Sequence, residues 1–139
     1  IEELAQAWFA GRLSWADTMQ NAVTHYEQAG NAAESARVAV NLADAFVTSD
    51  TSQYFAGRLL LRAGQPERAL RYLNRAVALN GSVPDFRLSL AEGYARTGQP
   101  ERSIATLEAI LQTHPGDERA KYWLQEMRSR EPGIVNREP

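Results

Sequence analysis

The 139-residue chain has no cysteine, two histidines and a single lysine. Without cysteine there is no disulfide framework, no thiolate metal site and no thiol nucleophile, while the redox compartment stays open. His25 and His114 have no second histidine or carboxylate at metal-ligand spacing, so both read as surface or helix-terminal residues. The sequence contains no G-x-S-x-G, no glycine-rich phosphate loop and no H-E-x-x-H. No catalytic, cofactor or metal residue is therefore assigned, and a non-enzymatic chain is expected. Long hydrophobic runs are also missing. Uncharged stretches such as residues 38–43 fall far short of the roughly 20 apolar residues that span a bilayer, so a soluble protein without direct membrane insertion is expected. The chain starts Ile1-Glu2-Glu3 rather than with Met, a basic stretch and an apolar run. That start predicts a processed protein or a piece of a longer one, either cytoplasmic or periplasmic. Val, Ile and Thr are too scattered to form strand runs.

Charge of one sign is scarce too. Seventeen acidic side chains face fifteen basic ones, for a net charge of -2. The first 49 residues hold six acids against two arginines, which argues against nucleic acid as a partner. Arginine outnumbers lysine 14 to 1, a bias expected of a GC-rich, bacterial source.

What the chain does have is self-similarity. Gly64-Gln65-Pro66-Glu67-Arg68 recurs unchanged 34 residues later as Gly98-Gln99-Pro100-Glu101-Arg102. The flanks agree in kind: Leu60 aligns with Tyr94, Gly57 with Ala91, Leu70 with Ile104, Leu73 with Leu107 and Ala76 with Ile110. A further step back puts Gly30 under Gly64 and Ser35 under Ala69. Each unit reads as two helices, since apolar residues recur at helical spacing on both sides of a break, as in Leu88, Ala91, Tyr94 and then Ile104, Leu107, Ile110, Leu111. Gly64 and Gly98 suit the left-handed residue that ends a helix, and Pro66 and Pro100 suit the first turn of the next. Asn31 with Glu34, Ser14 with Asp17 and Ser82 with Asp85 read as further helix starts with a reciprocal carboxylate.

These residues resemble the tetratricopeptide repeat, a 34-residue helix-turn-helix unit. The resemblance rests on small residues at the helix crossings (Gly57, Ala91, Ala69, Ser103, Ala76), a large residue three beyond (Tyr26, Leu60, Tyr94), the turn glycine, and Pro115 closing the third unit. The family's early Trp is replaced by Gln53 and Arg87, and its closing Pro by Val47 and Gly81. The resemblance implies an all-α, right-handed α-solenoid of antiparallel helix pairs, first helices lining a concave groove. Expected units are a cap or remnant of a preceding repeat at 1–13, a degenerate repeat at 16–49, repeats at 50–83 and 84–117, a capping helix at 118–130 and a frayed tail at 131–139. In the cap, Tyr122, Trp123, Leu124 and Met127 would cover the third unit. Trp8, Phe9 and Trp15, with Phe46, Phe55 and Phe86, are expected in core or cap.

On the resemblance, Asp17, Gln20, Thr24 and Glu27 line the groove first, followed by Thr51, Tyr54, Arg58 and Arg62, and then Asp85, Leu88, Glu92 and Arg96. Arg130 extends the row. Arg58, Arg62 and Arg96 beside Tyr54 could form a basic strip for a carboxylate or phosphate, unless Glu92 neutralises Arg96. Thr24, Arg58 and Glu92 do not reproduce the Lys and Asn set with which chaperone adaptors of the family clamp a C-terminal carboxylate. Glu67 and Arg71 are spaced to pair. The expected function is a non-catalytic scaffold that binds a protein or peptide, of acidic character, in the groove. The alternative is a self-association or spacer module of a larger bacterial enzyme or assembly protein, dimerising through its terminal helices. The stretch from Gly11 to Trp15 resembles the start of repeat tails carried by some lipase-like hydrolases.

Overall fold

The computed structural model describes residues 21, 24, 25 and 27–130. The expectations placed on 1–20 and 131–139 lie outside them, including the Trp8/Phe9/Trp15 face, the Ser14 helix start, groove positions Asp17 and Gln20, and the tail. Within the described residues 32–130, six helices follow one another: α1 (Ala32–Ala45), α2 (Asp50–Arg62), α3 (Pro66–Leu79), α4 (Pro84–Arg96), α5 (Pro100–Thr113) and α6 (Glu118–Arg130). No strand occurs among the described residues. Linkers of three or four residues force neighbouring helices antiparallel. Each helix packs on the next, and α2 also touches α4. The result is an all-α solenoid of antiparallel helix pairs.

The repeated pentapeptide builds the same joint twice. Gly64 and Gly98 have φ of 78° and 75°, a conformation open to glycine at no steric cost. The Gln65 N–H donates to the Leu60 carbonyl and the Gln99 N–H to the Tyr94 carbonyl, each at 2.8 Å. With Gly64 N–H to Leu61 and Gly98 N–H to Ala95, these bonds satisfy carbonyls that the helix ends orphan. Pro66 and Pro100 then open α3 and α5.

Other helix starts differ from expectation. Asn31 caps α1 by accepting from Glu34 N–H at 3.0 Å, but the Glu34 carboxylate turns to Arg37 at 2.8 Å instead of back to the cap. Val83, not Ser82, is the residue before α4, and it makes no side-chain cap. Ser82 Oγ bonds Asn80 Oδ1 instead, because Pro84 leaves the first turn one donor fewer to satisfy.

Two apolar clusters meet at α4. The first joins α1, α2 and α3, with fully buried Leu60 and Leu73 at its centre and Leu90 from α4 at its edge. The second takes Ala91, the next residue, together with Leu107 and Ile110 of α5 and Ala120, Leu124 and Met127 of α6. Consecutive residues of α4 thus seal different layers, which makes each helix pair depend on its neighbour. At the α2–α3 crossing a Cβ on Gly57 would lie 2.4 Å from Leu73 Cγ, so the helices approach as closely as they do only because that side chain is missing.

The two positions lacking the family's tryptophan are polar staples. Gln53 is fully buried and its Nε2 donates to the Ala43 carbonyl at 2.8 Å, closing the C-terminal end of α1. Arg87 Nη1 donates to the Gly81 carbonyl just ahead of its own helix. Tyr122 and Trp123 correct the expectation for the last helix. They remain 55% and 46% exposed, because α6 turns Ala120, Leu124 and Met127 toward α5 and leaves Tyr122 and Trp123 on other faces.

Candidate functional site

The first helices α2, α4 and α6 carry their large polar residues at corresponding positions. Tyr54, Leu88 and Tyr122 are spaced by 34, as are Arg58, Glu92 and Glu126, and Arg62, Arg96 and Arg130. The structure divides this row into two parts.

On α2, little of the proposed strip is free. Tyr54 is half-buried and its ring stacks on Phe86 at a centroid distance of 4.8 Å. Arg62 pairs with Glu27. Arg58 is exposed and lies over the Tyr54 ring at 5.6 Å, without a carboxylate partner. Arg96 is paired as well: it meets Glu92 at 3.3 Å and donates to the Leu61 carbonyl of α2 at 2.7 Å. Arg62 and Arg96 each reach back 35 residues, to Glu27 and Leu61 respectively, so they fasten successive hairpins before they offer charge to a ligand.

Between α4 and α6, with α5 as its floor, lies a cavity of about 470 Å³. Leu88, Glu92, Arg96 and Arg130, all expected in the groove, line it together. Tyr54, Arg58 and Arg62 do not. Apolar surface comes from Leu88, Ala91, Ala95, Leu107 and Met127, and the half-exposed Trp123 stands at the wall. Arg96, Arg119 and Arg130 contribute three guanidiniums against one carboxylate, Glu92. Arg119 is held by Asp85 at 2.6 Å and Asp117 at 3.3 Å, which ties the first turn of α6 to that of α4. These two acids hold its guanidinium above its ordinary pKa. Burial pushes Asp117 upward, but the N–H of Ala120 and the charge of Arg119 outweigh it and leave the carboxyl below its usual value. Arg130 is the loosest of the three, 3.7 Å from Glu126 with its side chain 65% exposed.

Trp123 and Arg119 were not expected at the site. The signal was present, since adding 34 to Ser89 and Asp85 reaches both, but only Arg130 of the capping helix was read as continuing the first-helix row.

Among the described residues, no group of three or more His, Asp and Glu side chains is placed to hold a metal. No helix among them is long and apolar enough to cross a membrane. His114 closes α5, its N–H on the Ile110 carbonyl at 2.7 Å and its ring Nδ1 2.9 Å from Thr113 Oγ1.

Comparison with known proteins agrees with this geometry. Residues 60–126 match the family model described as tetratricopeptide repeat. No curated protein sequence matches the chain. Among solved structures, the MamA protein is 21% identical with a TM-score of 0.75, covering 86% of this chain; the chain spans 64% of that protein's length. The second TPR domain of human RPAP3, solved in complex with an HSP70 peptide, is 14% identical with a TM-score of 0.72, covering 79% of this chain and 92% of that one. The Yersinia enterocolitica type III secretion chaperone SycD, solved with a peptide of the translocator YopD, is 14% identical with a TM-score of 0.70, covering 88% and 95%.

Proposed function

Because the chain is a tetratricopeptide-repeat protein, we propose that it is a non-catalytic interaction scaffold that seats a segment of a partner protein between α4 and α6. The observation that carries this reading is the cavity itself: about 470 Å³, apolar at its base, bordered by a half-exposed tryptophan and by more guanidinium than carboxylate. That volume lies within the range of about 300–1,000 Å³ typical of ligand pockets. An apolar side chain of the segment packs on Leu88, Met127 and Trp123, while an acidic residue beside it meets Arg130, whose own ion pair is long. Paired Arg96 and Arg119 shape the walls. Peptide complexes of similarly folded chains, such as the RPAP3 domain and SycD, support a segment rather than a small molecule as occupant. An extended segment must be ordered on binding, so affinity near the micromolar range, about -8 kcal/mol, is expected.

The test is calorimetric titration of peptides that combine an aromatic or aliphatic anchor with a neighbouring Asp or Glu. Trp123→Ala and Arg130→Ala alter exposed side chains and leave the fold intact, and each should weaken binding about tenfold. Unchanged affinity in both variants refutes the assignment. Sedimentation of the same proteins checks the alternative: a dimer abolished by Trp123→Ala would assign this face to self-association.

A further inference from the structure

Among the described residues, arginines differ in their partners. Arg37, Arg62, Arg96, Arg119, Arg128 and Arg130 each meet a carboxylate within 4.0 Å. The three arginines of α3 do not, and their partners are neutral. Arg71 and Arg75 lie over the ring of Tyr72 at 5.6 and 5.8 Å, and Arg68 donates to Gln65 Oε1 at 2.6 Å. The pairing of Glu67 with Arg71 anticipated from their spacing is not formed; Arg71 turns to the aromatic face instead. Tyr72 is itself immobilised, buried to 3% and donating its hydroxyl to Asp44 Oδ1 at 2.9 Å. On α5, Arg102 lies over Tyr94 at 5.9 Å, again without an ion pair.

We propose that Arg68, Arg71 and Arg75 form a second binding site, separate from the cavity, for an extended acidic segment of a partner protein lying along α3. None of the three lines the cavity. Stacking on a ring fixes a guanidinium plane without using its N–H donors, so Arg71 and Arg75 are oriented in advance and still able to fork onto carboxylates. Positions 68, 71 and 75 succeed one another along one face of the helix, about 10 Å from end to end, which matches about three residues of extended chain. The charge is confined to that width. Asp44 borders it through the Tyr72 hydroxyl, Glu67 shares the helix, and Glu101 and Glu108 outnumber Arg102 on α5. Such flanks repel a broad anionic sheet or a duplex but leave room for one strand of carboxylates. Together with the cavity, the strip would let one chain hold two partner segments at once.

A fluorescein-labelled oligoglutamate peptide, followed by anisotropy at low salt, tests the site on the whole chain. Arg71→Glu/Arg75→Glu should weaken binding about tenfold or more, with Arg71→Lys/Arg75→Lys losing less. Arg130→Ala should bind the peptide as wild type does, which separates this site from the cavity. If the double reversal lowers the melting temperature, Arg68→Glu, whose side chain bonds only Gln65, carries the comparison. Equal affinity in the reversed variants, or loss in Arg130→Ala, overturns the proposal. Tighter binding to mixed phosphatidylcholine–phosphatidylserine vesicles than to the peptide, abolished by the same reversals, overturns it in favour of a lipid surface. Competition by inorganic phosphate at concentrations that leave ionic strength unchanged would likewise show that a single anion, not a segment, is bound.

Discussion

Replacing Gly57 by alanine should destabilise the protein although alanine is the better helix former. The added Cβ would stand 2.4 Å from Leu73 Cγ and 2.5 Å from its Cδ2, where carbon atoms prefer about 3.5–4.0 Å. Leu73 is fully buried, and the nearest contact is its branching carbon rather than a methyl that could swing aside. Relief therefore requires α2 and α3 to separate by about an ångström, at a cost typical of overpacking, about 1–3 kcal/mol. Helix propensity returns about 1 kcal/mol. The net loss is about 0–2 kcal/mol, at about 3–6 °C of Tm per kcal/mol for a chain of this size. Gly93→Ala supplies the contrast, since its Cβ would crowd the terminal Cδ2 of half-buried Leu70 at 2.9 Å, its next contacts being ordinary ones at 3.7 and 3.8 Å. There the propensity gain should prevail and stability should hold or rise. Thermal melts by circular dichroism, with urea midpoints, read both. In a Leu73→Ala background the sign at position 57 should reverse, because the clash has gone and the propensity gain remains. Equal effects at Gly57 and Gly93, or additivity with Leu73→Ala, would refute the crossing geometry.

Further outcomes follow from other contacts. Ala76→Asp puts an unpaired charge at a fully buried position and should unfold much of the array, seen as loss of the cooperative melt. Gln53→Leu strips the Ala43 carbonyl of its donor, at about 1–3 kcal/mol, but also removes Gln53 Oε1, which is buried without a partner, so the net cost by urea denaturation should fall below that range's upper end. Burial and the bond to Asp44 raise the Tyr72 pKa in the folded state, so the stability linked to its neutral form is complete below the ordinary tyrosine value of about 10 and lost as pH rises through the elevated one. The stability difference between wild type and Tyr72→Phe should therefore shift in favour of the variant at alkaline pH, and a difference flat across that range would contradict the contact. Asp117→Ala removes the oxygen that accepts Ala120 N–H and a partner of Arg119, and should cost about 1 kcal/mol at neutral pH. Because the Asp117 pKa is lowered, that cost should be complete above the ordinary carboxylate value of about 4 and fade as pH falls through the lower folded-state one.

The all-α architecture was legible because its signals are local. A glycine, a proline and one apolar stripe per helix specify a joint, and the duplicated pentapeptide forms the same bonds at residues 65 and 99. The partners of long side chains were less accessible. Glu67 and Arg71 had the spacing to pair, but Arg71 lies over the ring of Tyr72 instead. Arg62, and Arg96 besides the Glu92 pair that helical spacing anticipates, find partners 35 residues away, beyond the reach of helical spacing. Trp123 was assigned to cover the third unit because aromatic residues usually cover something, yet the burial of Ala120, Leu124 and Met127 turns it outward.

The dual engagement of Arg96 has a mechanical corollary. Its guanidinium belongs at once to the wall of the cavity and to the last turn of α2, where it shares the Leu61 carbonyl with the Gly64 amide. Arg96→Ala would therefore remove, with one side chain, part of a cavity wall and the cross-hairpin donor of the Leu61 carbonyl, leaving that oxygen to the amide alone.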